Sequence, residues 1–173
     1  VKLNKCLREI LPELVKTFET YQPVEFIRAG DVLSVGDFSL SVLSPEASEN
    51  YSDDNDGSAV LLADYGDFHM LLTGDISTRP EGKVLDRLKD QKIDILKAAH
   101  HGSASSTSQD FLAAIRPETT IISCALKNKY GHPAKETIER LESVGSDIVR
   151  TTKLGCITVK SDGKGYEIQG FLK

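Results

Sequence analysis

The fold of this chain is decided by two short segments, Leu71-Leu72-Thr73-Gly74-Asp75 and Ile95-Leu96-Lys97-Ala98-Ala99-His100-His101-Gly102-Ser103. Each segment is an apolar run that ends in polar residues, which is typical of a buried strand followed by a loop. The first strand delivers a carboxylate, and the second delivers two imidazoles ahead of a Gly-Ser turn. Oxygen and nitrogen donors at the ends of neighbouring strands are suitable ligands for a zinc- or manganese-type hydrolytic site. The two segments therefore predict a metal-dependent hydrolase.

The residues between the two segments predict how their ends come together. A helix is predicted at 79–89 and the second strand at 93–98, so the order is strand, helix, strand. This order implies a right-handed crossover that joins two parallel strands. Ligands in such sheets bind beyond the carboxyl ends of the strands. We therefore expect Asp75 to lie close to His100 and His101.

The remaining pattern predicts a mixed α/β fold. Apolar residues at helical spacing predict an amphipathic helix over residues 3–18. Period-two runs bounded by turn residues predict most of the strands. The further strands are predicted at 24–27, 32–35, 38–43, 58–64, 68–72, 119–124, 147–150, 156–160 and 166–171, and the further helices at 106–115 and 134–143.

Composition excludes several classes of protein. The chain has 173 residues, of which 39% are hydrophobic, enough for one domain with a core of its own. No apolar run approaches the roughly 18 residues needed to cross a bilayer. Its three cysteines, Cys6, Cys124 and Cys156, argue by number and spacing against a disulfide framework and a cysteine zinc site. The first residues contain neither an initiator Met nor a signal peptide, so we expect a part of a longer protein.

The net charge of −5 provides no broad basic surface for nucleic acid. A phosphodiester substrate would therefore have to be attracted by metal ions and by local lysines. Lys127 and Lys129 precede His132 in the same segment; by default they are solvated charges, and near a metal cleft either of them could steer such a substrate.

Three motifs in a fixed order resemble one protein family: Thr73-Gly74-Asp75, His100-His101-Gly102-Ser103 and Asn128-Lys129-Tyr130-Gly131-His132-Pro133. They resemble the metallo-β-lactamase fold, and in particular the ComEC-like branch of competence DNA-uptake channel proteins and related stand-alone hydrolases. The resemblance covers about residues 32–157. It implies part of an αβ/βα sandwich, with a mixed sheet, flanking helices and a one- or two-metal site in a cleft.

The resemblance also implies roles for individual residues. Asp75 would be a carboxylate that can bridge two metal ions, and one of His100 and His101 would be a metal ligand. Adjacent strand residues point to opposite sides, so only one of the two is expected to reach the metal. The other histidine and His132 would bind substrate or donate a proton, giving Asp75, His101 and His132 as the catalytic candidates. Further candidates for substrate binding are Asn55, Ser58 and Ser103.

One signature of the fold is absent from the sequence. The upstream His-x-His-x-Asp-His cluster, which supplies most metal ligands in this fold, does not occur among the histidines His69, His100, His101 and His132. We therefore interpret residues 1–173 as a single domain that forms the C-terminal portion of the fold. The N-terminal half with the metal cluster would be a partner supplied from outside this chain.

The resulting hypothesis is a metal-dependent phosphodiesterase or nuclease that uses one or two zinc ions, with manganese as the alternative. Its substrate would be a phosphodiester such as DNA, and a membrane channel would be part of the parent protein. We expect a soluble domain, on the extracytoplasmic face within a competence channel and in the cytoplasm otherwise. The alternative is a non-catalytic, metal-poor module for binding or assembly, in which Asp75 only caps a helix and His132 only stiffens a turn.

Overall fold

The computed structural model describes residues 2–4, 16, 20, 25–47 and 51–172. Strand β1 (Lys2–Asn4) pairs in parallel with β2 (Glu25–Ile27). Most of the helix predicted over residues 3–18 lies outside the described residues. Lys16 is helical, but residue 3 lies in β1, so the predicted helix does not begin there.

A seven-stranded mixed sheet forms the centre of the structure, and its strands follow one another in sequence order. The first four strands are antiparallel, and the last four, counted from β6, are parallel. The parallel pairing of β6 with β7 confirms the two parallel strands predicted from the opening segments. The strands are β3 (Val32–Val35), β4 (Phe38–Ser44), β5 (Val60–Tyr65), β6 (Phe68–Leu72), β7 (Ile95–Lys97), β8 (Thr119–Ile122) and β9 (Asp147–Arg150).

Three helices connect the parallel strands: α1 (Glu81–Leu88), α2 (Gln109–Ile115) and α3 (Lys135–Ser143). Helix α2 begins three residues later than predicted, because the Ser108 hydroxyl caps it by accepting a hydrogen bond from the Phe111 amide at 3.2 Å. A short helix that the sequence did not predict, α4 (Thr151–Leu154), follows β9. Within residues 51–172 there are also two 3-10 turns, at Asp54–Gly57 and Ala99–Gly102.

The sheet is covered on both faces, as the alternation of its buried residues requires. Leu71 and Leu96 are fully buried on one face, in a core cluster that includes Leu112 from α2. Ile95 and Ile121 face the other way, towards a C-terminal hairpin. The hairpin consists of the antiparallel strands β10 (Ile157–Ser161) and β11 (Tyr166–Gly170). Each buried Leu or Ile stabilises the fold by roughly 1.5–3 kcal/mol.

The described residues test two exclusions made from the sequence. They include no helix long and apolar enough to cross a membrane. Cys124 and Cys156 are free thiols, but Cys124 is only partly buried and Cys156 is exposed, so the expectation from the sequence of buried free thiols is wrong for Cys156. Cys6 lies outside the described residues.

The topology positions the candidate site. Because β6, β7 and β8 run parallel, their carboxyl ends meet at one edge of the sheet, and three loops leave from that edge. Leu72 at the end of β6 pairs with Lys97 at the end of β7. Asp75 and His100 each lie three residues beyond this pair, so the register brings them to the same end of the sheet.

Candidate functional site at the carboxyl edge of the sheet

The turn after β6 holds Asp75 through three local contacts. The Thr73 hydroxyl donates to the Lys97 carbonyl at 2.6 Å and ties the turn to the neighbouring strand. Gly74 has φ of +56°, and a Cβ there would lie 2.7 Å from the Ser58 Cβ, so glycine is needed for both conformation and space. The Asp75 amide then donates to the Ser58 hydroxyl at 3.2 Å. These contacts place the predicted candidate Ser58 directly beside Asp75.

The two histidines after β7 lie in the 3-10 turn Ala99–Gly102 and not on a strand. Both adopt left-handed backbone conformations, with φ of +47° for His100 and +56° for His101. Such conformations cost non-glycine residues of order 1–3 kcal/mol and are concentrated at functional sites. The His100 amide donates to the Gly74 carbonyl at 3.2 Å, which fixes the turn against the Asp75 loop. We expected only one of the two histidines to reach the metal because adjacent residues on a strand point to opposite sides. That reason is wrong, since neither histidine lies on a strand.

His101 is the histidine that the structure brings to Asp75. Its Nε2 lies 3.5 Å from Oδ2 of Asp75, and its Nδ1 lies 2.7 Å from the Ser123 carbonyl oxygen. A carbonyl oxygen can only accept, so Nδ1 carries a hydrogen, and Nε2 is the ring nitrogen that faces the carboxylate. Both side chains are partly open to solvent, at 47% exposed for His101 and 36% for Asp75.

Lys97 is a member of the site that the sequence reasoning missed. Its ammonium nitrogen lies 3.6 Å from Oδ1 of Asp75 and donates to the Gly74 carbonyl at 2.9 Å. Burial lowers the pKa of Lys97, and the negative charge of Asp75 opposes that shift. The sequence did contain an indication of this role. Lys97 ends β7, whose other residues are apolar and buried, and a charge in such a position needs a partner.

His132 lies next to this group, in the loop before α3. Its ring centroid is 5.7 Å from that of His100 and 5.7 Å from that of Tyr130, on which it stacks. Burial lowers the pKa of His132, and the charges of His100 and His101 lower it further, against an opposing effect of Asp75. The imidazole is therefore neutral near pH 7. Its Nδ1 is buried and has no hydrogen-bond partner within the described part of the chain.

Two other residues predicted to bind substrate, Ser103 and Asn55, make their hydrogen bonds away from Asp75. Ser103 is 7% exposed, and its hydroxyl lies 3.0 Å from that of Ser105 within the turn. Asn55 lies in the 3-10 turn Asp54–Gly57, where its amide donates to Asp53. No hydrogen bond in the described ranges joins either residue to Asp75. The structure thus brings Ser58 to the site and places Ser103 in an internal network.

A pocket of about 300 Å³ opens between the His101 turn and the loop that follows β8. This volume lies at the lower limit of small-molecule pockets, which span roughly 300–1,000 Å³. Ser123 and Tyr130 lie in its wall, and the sequence reasoning assigned neither to the site. Its complete lining is His101, Ser123, Cys124, Ala125, Asn128, Tyr130 and His132.

The donor set of the described residues supplies only part of a metal site. Across residues 25–47 and 51–172 and the few described before them, no three His, Cys, Asp or Glu side chains form a group that could hold a metal. Asp75 and His101 form a pair. Two donors that each lie about 2.0–2.1 Å from one zinc ion are about 3.3 Å apart in a tetrahedral site, close to the 3.5 Å observed here. The pair therefore fits two ligands of one site, and further ligands are required.

Comparisons with known proteins identify the relatives of the chain. No protein-family model matches it. It is 37% identical over 134 residues to "ComE operon protein 3" of Bacillus subtilis and 37% identical over 130 residues to "Recombination protein 2" of Haemophilus influenzae. These matches cover 78% and 75% of this chain. It is also 35% identical to "Competence protein ComA" of Neisseria gonorrhoeae, over 66% of this chain.

The chain is a homologue of these competence proteins. It spans only 16–17% of the length of these three relatives. Among solved structures it is similar to "CmlA beta-hydroxylase E377D mutant", with a TM-score of 0.55 and 10% identity over 81% of this chain and 34% of that chain. At this identity the likeness concerns the fold alone, which is of the metallo-β-lactamase type. The fold and the competence branch expected from the three motifs are thereby confirmed.

Proposed function

We propose that this chain forms part of a metal-dependent hydrolase that cleaves phosphodiester bonds of DNA, with Asp75 and His101 as metal ligands. The observation that carries the proposal is the 3.5 Å approach of the His101 Nε2 to the Asp75 carboxylate. The homology to competence proteins supports DNA as the substrate class. The fold alone would leave the substrate open.

The contact of His101 with Ser123 supports the ligand assignment. Metal-binding histidines usually donate their second ring N–H to a carbonyl or carboxylate, which orients the ring and raises its basicity. His101 does this through Nδ1, at 2.7 Å from the Ser123 carbonyl oxygen. His100 has its ring beside that of His132. We therefore assign the ligand role to His101 and a role towards the substrate to His100.

The position of Lys97 favours one ion at Asp75 over two. One carboxylate oxygen faces His101, and the other lies 3.6 Å from the Lys97 ammonium. A second cation on that oxygen would have to displace Lys97 or lie against its charge. We propose a single zinc ion at this carboxylate, with manganese as the alternative, because both accept mixed nitrogen and oxygen donors.

The side chains of this chain have distinct roles in the proposed reaction. A divalent ion held by the pair would supply Lewis-acid chemistry, polarising a phosphoryl oxygen and lowering the pKa of water towards neutrality. The Asp75 carboxylate orients the attacking water. Lys97 balances its charge and fixes its position. His132, neutral near pH 7 because its pKa is lowered, hydrogen-bonds to the phosphate or the leaving group.

The missing ligands define the partner of this segment. A structural or catalytic zinc site needs at least three protein ligands, and the described residues supply two. We propose that the others come from a His-x-His-x-Asp-His half of the domain, a motif that does not occur in these 173 residues. We further propose that both halves belong to a longer protein with a membrane channel, as the small share of the relatives covered here supports.

One observation favours a second candidate function, a non-catalytic binding or assembly module. Within the described residues, no third donor completes a metal site. A module of this kind would retain the fold and the contact between Asp75 and His101 without cleaving DNA.

The two functions are separated by a cleavage assay. The longer protein that contains both halves of the domain is incubated with a labelled single-stranded oligonucleotide and Zn²⁺ or Mn²⁺, and compared with its Asp75→Asn and His101→Asn variants. Loss of a ligand should lower the rate at least 100-fold, since loss of an outer-shell partner already costs about 10–100-fold. His69→Gln is the matched control, because His69 pairs with Asp64 and lies at the far end of β6. Cleavage that is absent from the wild type supports the non-catalytic module, and cleavage that is equal in all variants contradicts the assignment of Asp75 and His101 as metal ligands.

A further inference from the structure

Tyr130 presents an exposed aromatic ring beside the candidate site. The residue is 68% exposed, and its ring stacks on that of His132 at an interplanar angle of 16°. The ammonium of Lys129 lies 4.9 Å from the ring centroid. Surfaces that bind single-stranded nucleic acid combine these elements, an aromatic face for a base and a cation for the backbone.

The loop that carries Tyr130 is held in place by the carboxamide of Asn128. Its Nδ2 donates to the carbonyl oxygens of Ala125 at 3.0 Å and His132 at 2.7 Å. Its Oδ1 accepts from the amides of Tyr130 at 3.2 Å and His132 at 2.9 Å. Four bonds from one side chain fix the loop before any ligand binds. A preorganised loop loses little conformational entropy on binding.

The pocket under Tyr130 has few free polar groups on its walls. The Ser123 carbonyl is taken by His101, and the Cys124 amide and carbonyl both bond to the Thr151 hydroxyl. The Ala125 carbonyl is taken by Asn128. Burial raises the pKa of the Cys124 thiol, so the thiol is uncharged at neutral pH. A base in this pocket would be recognised by its face and not by its edges.

We propose that Tyr130 is a stacking platform for one base of single-stranded DNA, which takes the place of the Lys129 ammonium over the ring while Lys129 contacts the adjacent phosphate. The pocket is lined by both Tyr130 and His101, so the stacked base lies next to the phosphodiester presented to the Asp75–His101 pair. This inference rests on the proposed function for its choice of DNA. Because recognition uses the face of the base, binding is tolerant of sequence.

The proposal is tested by binding in the presence of EDTA, which prevents cleavage. The probe is a single-stranded octanucleotide that carries one 2-aminopurine, whose fluorescence is quenched when it stacks. Stacking on one aromatic ring is worth enough that Tyr130→Ala should bind roughly 5- to 150-fold more weakly. Tyr130→Phe keeps the ring and should bind as the wild type does. Octamers of different sequence should bind within a few-fold of one another.

A matched control and an abasic probe make the test specific. Phe38→Ala removes another exposed aromatic ring, 41% exposed at the start of β4 and so at the opposite edge of the sheet, and should leave binding unchanged. Replacing the 2-aminopurine by an abasic site should weaken wild-type binding as much as Tyr130→Ala does and should not weaken Tyr130→Ala further. Equal binding by Tyr130→Ala and wild type, or no quenching in the wild type, would overturn the platform. Quenching without cleavage would overturn the proposed hydrolase alone, and cleavage without any effect of Tyr130→Ala would overturn the platform alone.

Discussion

The Asn128→Ala variant tests whether one carboxamide holds the loop beside the site. The two bonds to the His132 backbone, at 2.7 and 2.9 Å, are partly buried. The bonds to the Ala125 carbonyl and the Tyr130 amide are exposed, so water can replace them. With about 1 kcal/mol for each buried bond and little for the exposed ones, the free energy of unfolding should fall by about 2 kcal/mol.

Urea denaturation followed by circular dichroism measures this loss. For a slope of about 2 kcal/mol per molar urea, the midpoint should fall by about 1 M. Amide hydrogen exchange at His132 should also become faster, because its N–H loses the Oδ1 acceptor. Asn128→Asp should be at least as destabilising, since its second oxygen would face the carbonyl oxygens of Ala125 and His132. Asn55→Ala is the matched control, with an expected change within about 0.5 kcal/mol.

Either of two results would contradict this role of the Asn128 carboxamide. The first is Asn128→Ala within 0.5 kcal/mol of the wild type and unchanged exchange at His132. The second is Asn128→Asp with wild-type stability, because that result would show that the donor side of the carboxamide contributes nothing.

Two further predictions concern the framework of the site. Glu81 is 3% exposed and accepts from the Ser108 amide at 3.1 Å, and burial raises its pKa above 4.5. The folded state therefore keeps this proton to higher pH than the unfolded state does, and stability falls as pH rises through that window. The urea midpoint of Glu81→Gln relative to wild type should accordingly increase between pH 4 and pH 7, and a pH-independent difference would contradict the assignment. At Gly102, φ is +82° and a Cβ would lie 2.8 Å from the Pro133 Cβ, so Gly102→Ala should cost at least about 2 kcal/mol by thermal or urea unfolding. Gly82→Ala in α1 is the control, because a Cβ there meets nothing within 4 Å. It should stabilise the protein by about 0.4–1 kcal/mol. Equal effects of the two substitutions would show that the Gly102 contact is unimportant.

The parts of the fold that depend on local pattern could be predicted from the sequence. The strands at Val32–Val35, Phe68–Leu72 and Asp147–Arg150 have the predicted bounds. Their apolar runs end at turn residues, and such boundaries are local. The placement of Asp75 beside the histidine turn followed from the strand–helix–strand order, because such a connection joins parallel strands whose carboxyl ends lie at the same edge of the sheet.

The details of the site depend on contacts that no local pattern contains. The carbonyl that orients the His101 ring belongs to Ser123, 22 residues further along the chain. Lys97 at the end of β7 contacts Asp75 in the loop that follows the neighbouring strand β6. The left-handed conformations of His100 and His101 are imposed by the turn, against the intrinsic preference of histidine. A stacking role for Tyr130 depends on loop contacts made by Asn128 and could not be read from an exposed tyrosine alone.

The most direct test of the central claim is a Zn²⁺ titration by isothermal calorimetry of the metal-free protein with both halves of the domain present. The claim is that Asp75 and His101 are two ligands of one metal site, as their 3.5 Å approach suggests. We expect one ion to bind the wild type, at least tenfold weaker binding by Asp75→Asn and His101→Asn, and unchanged binding by His69→Gln. Equal affinity in all four proteins, or no binding by the wild type, would contradict the claim.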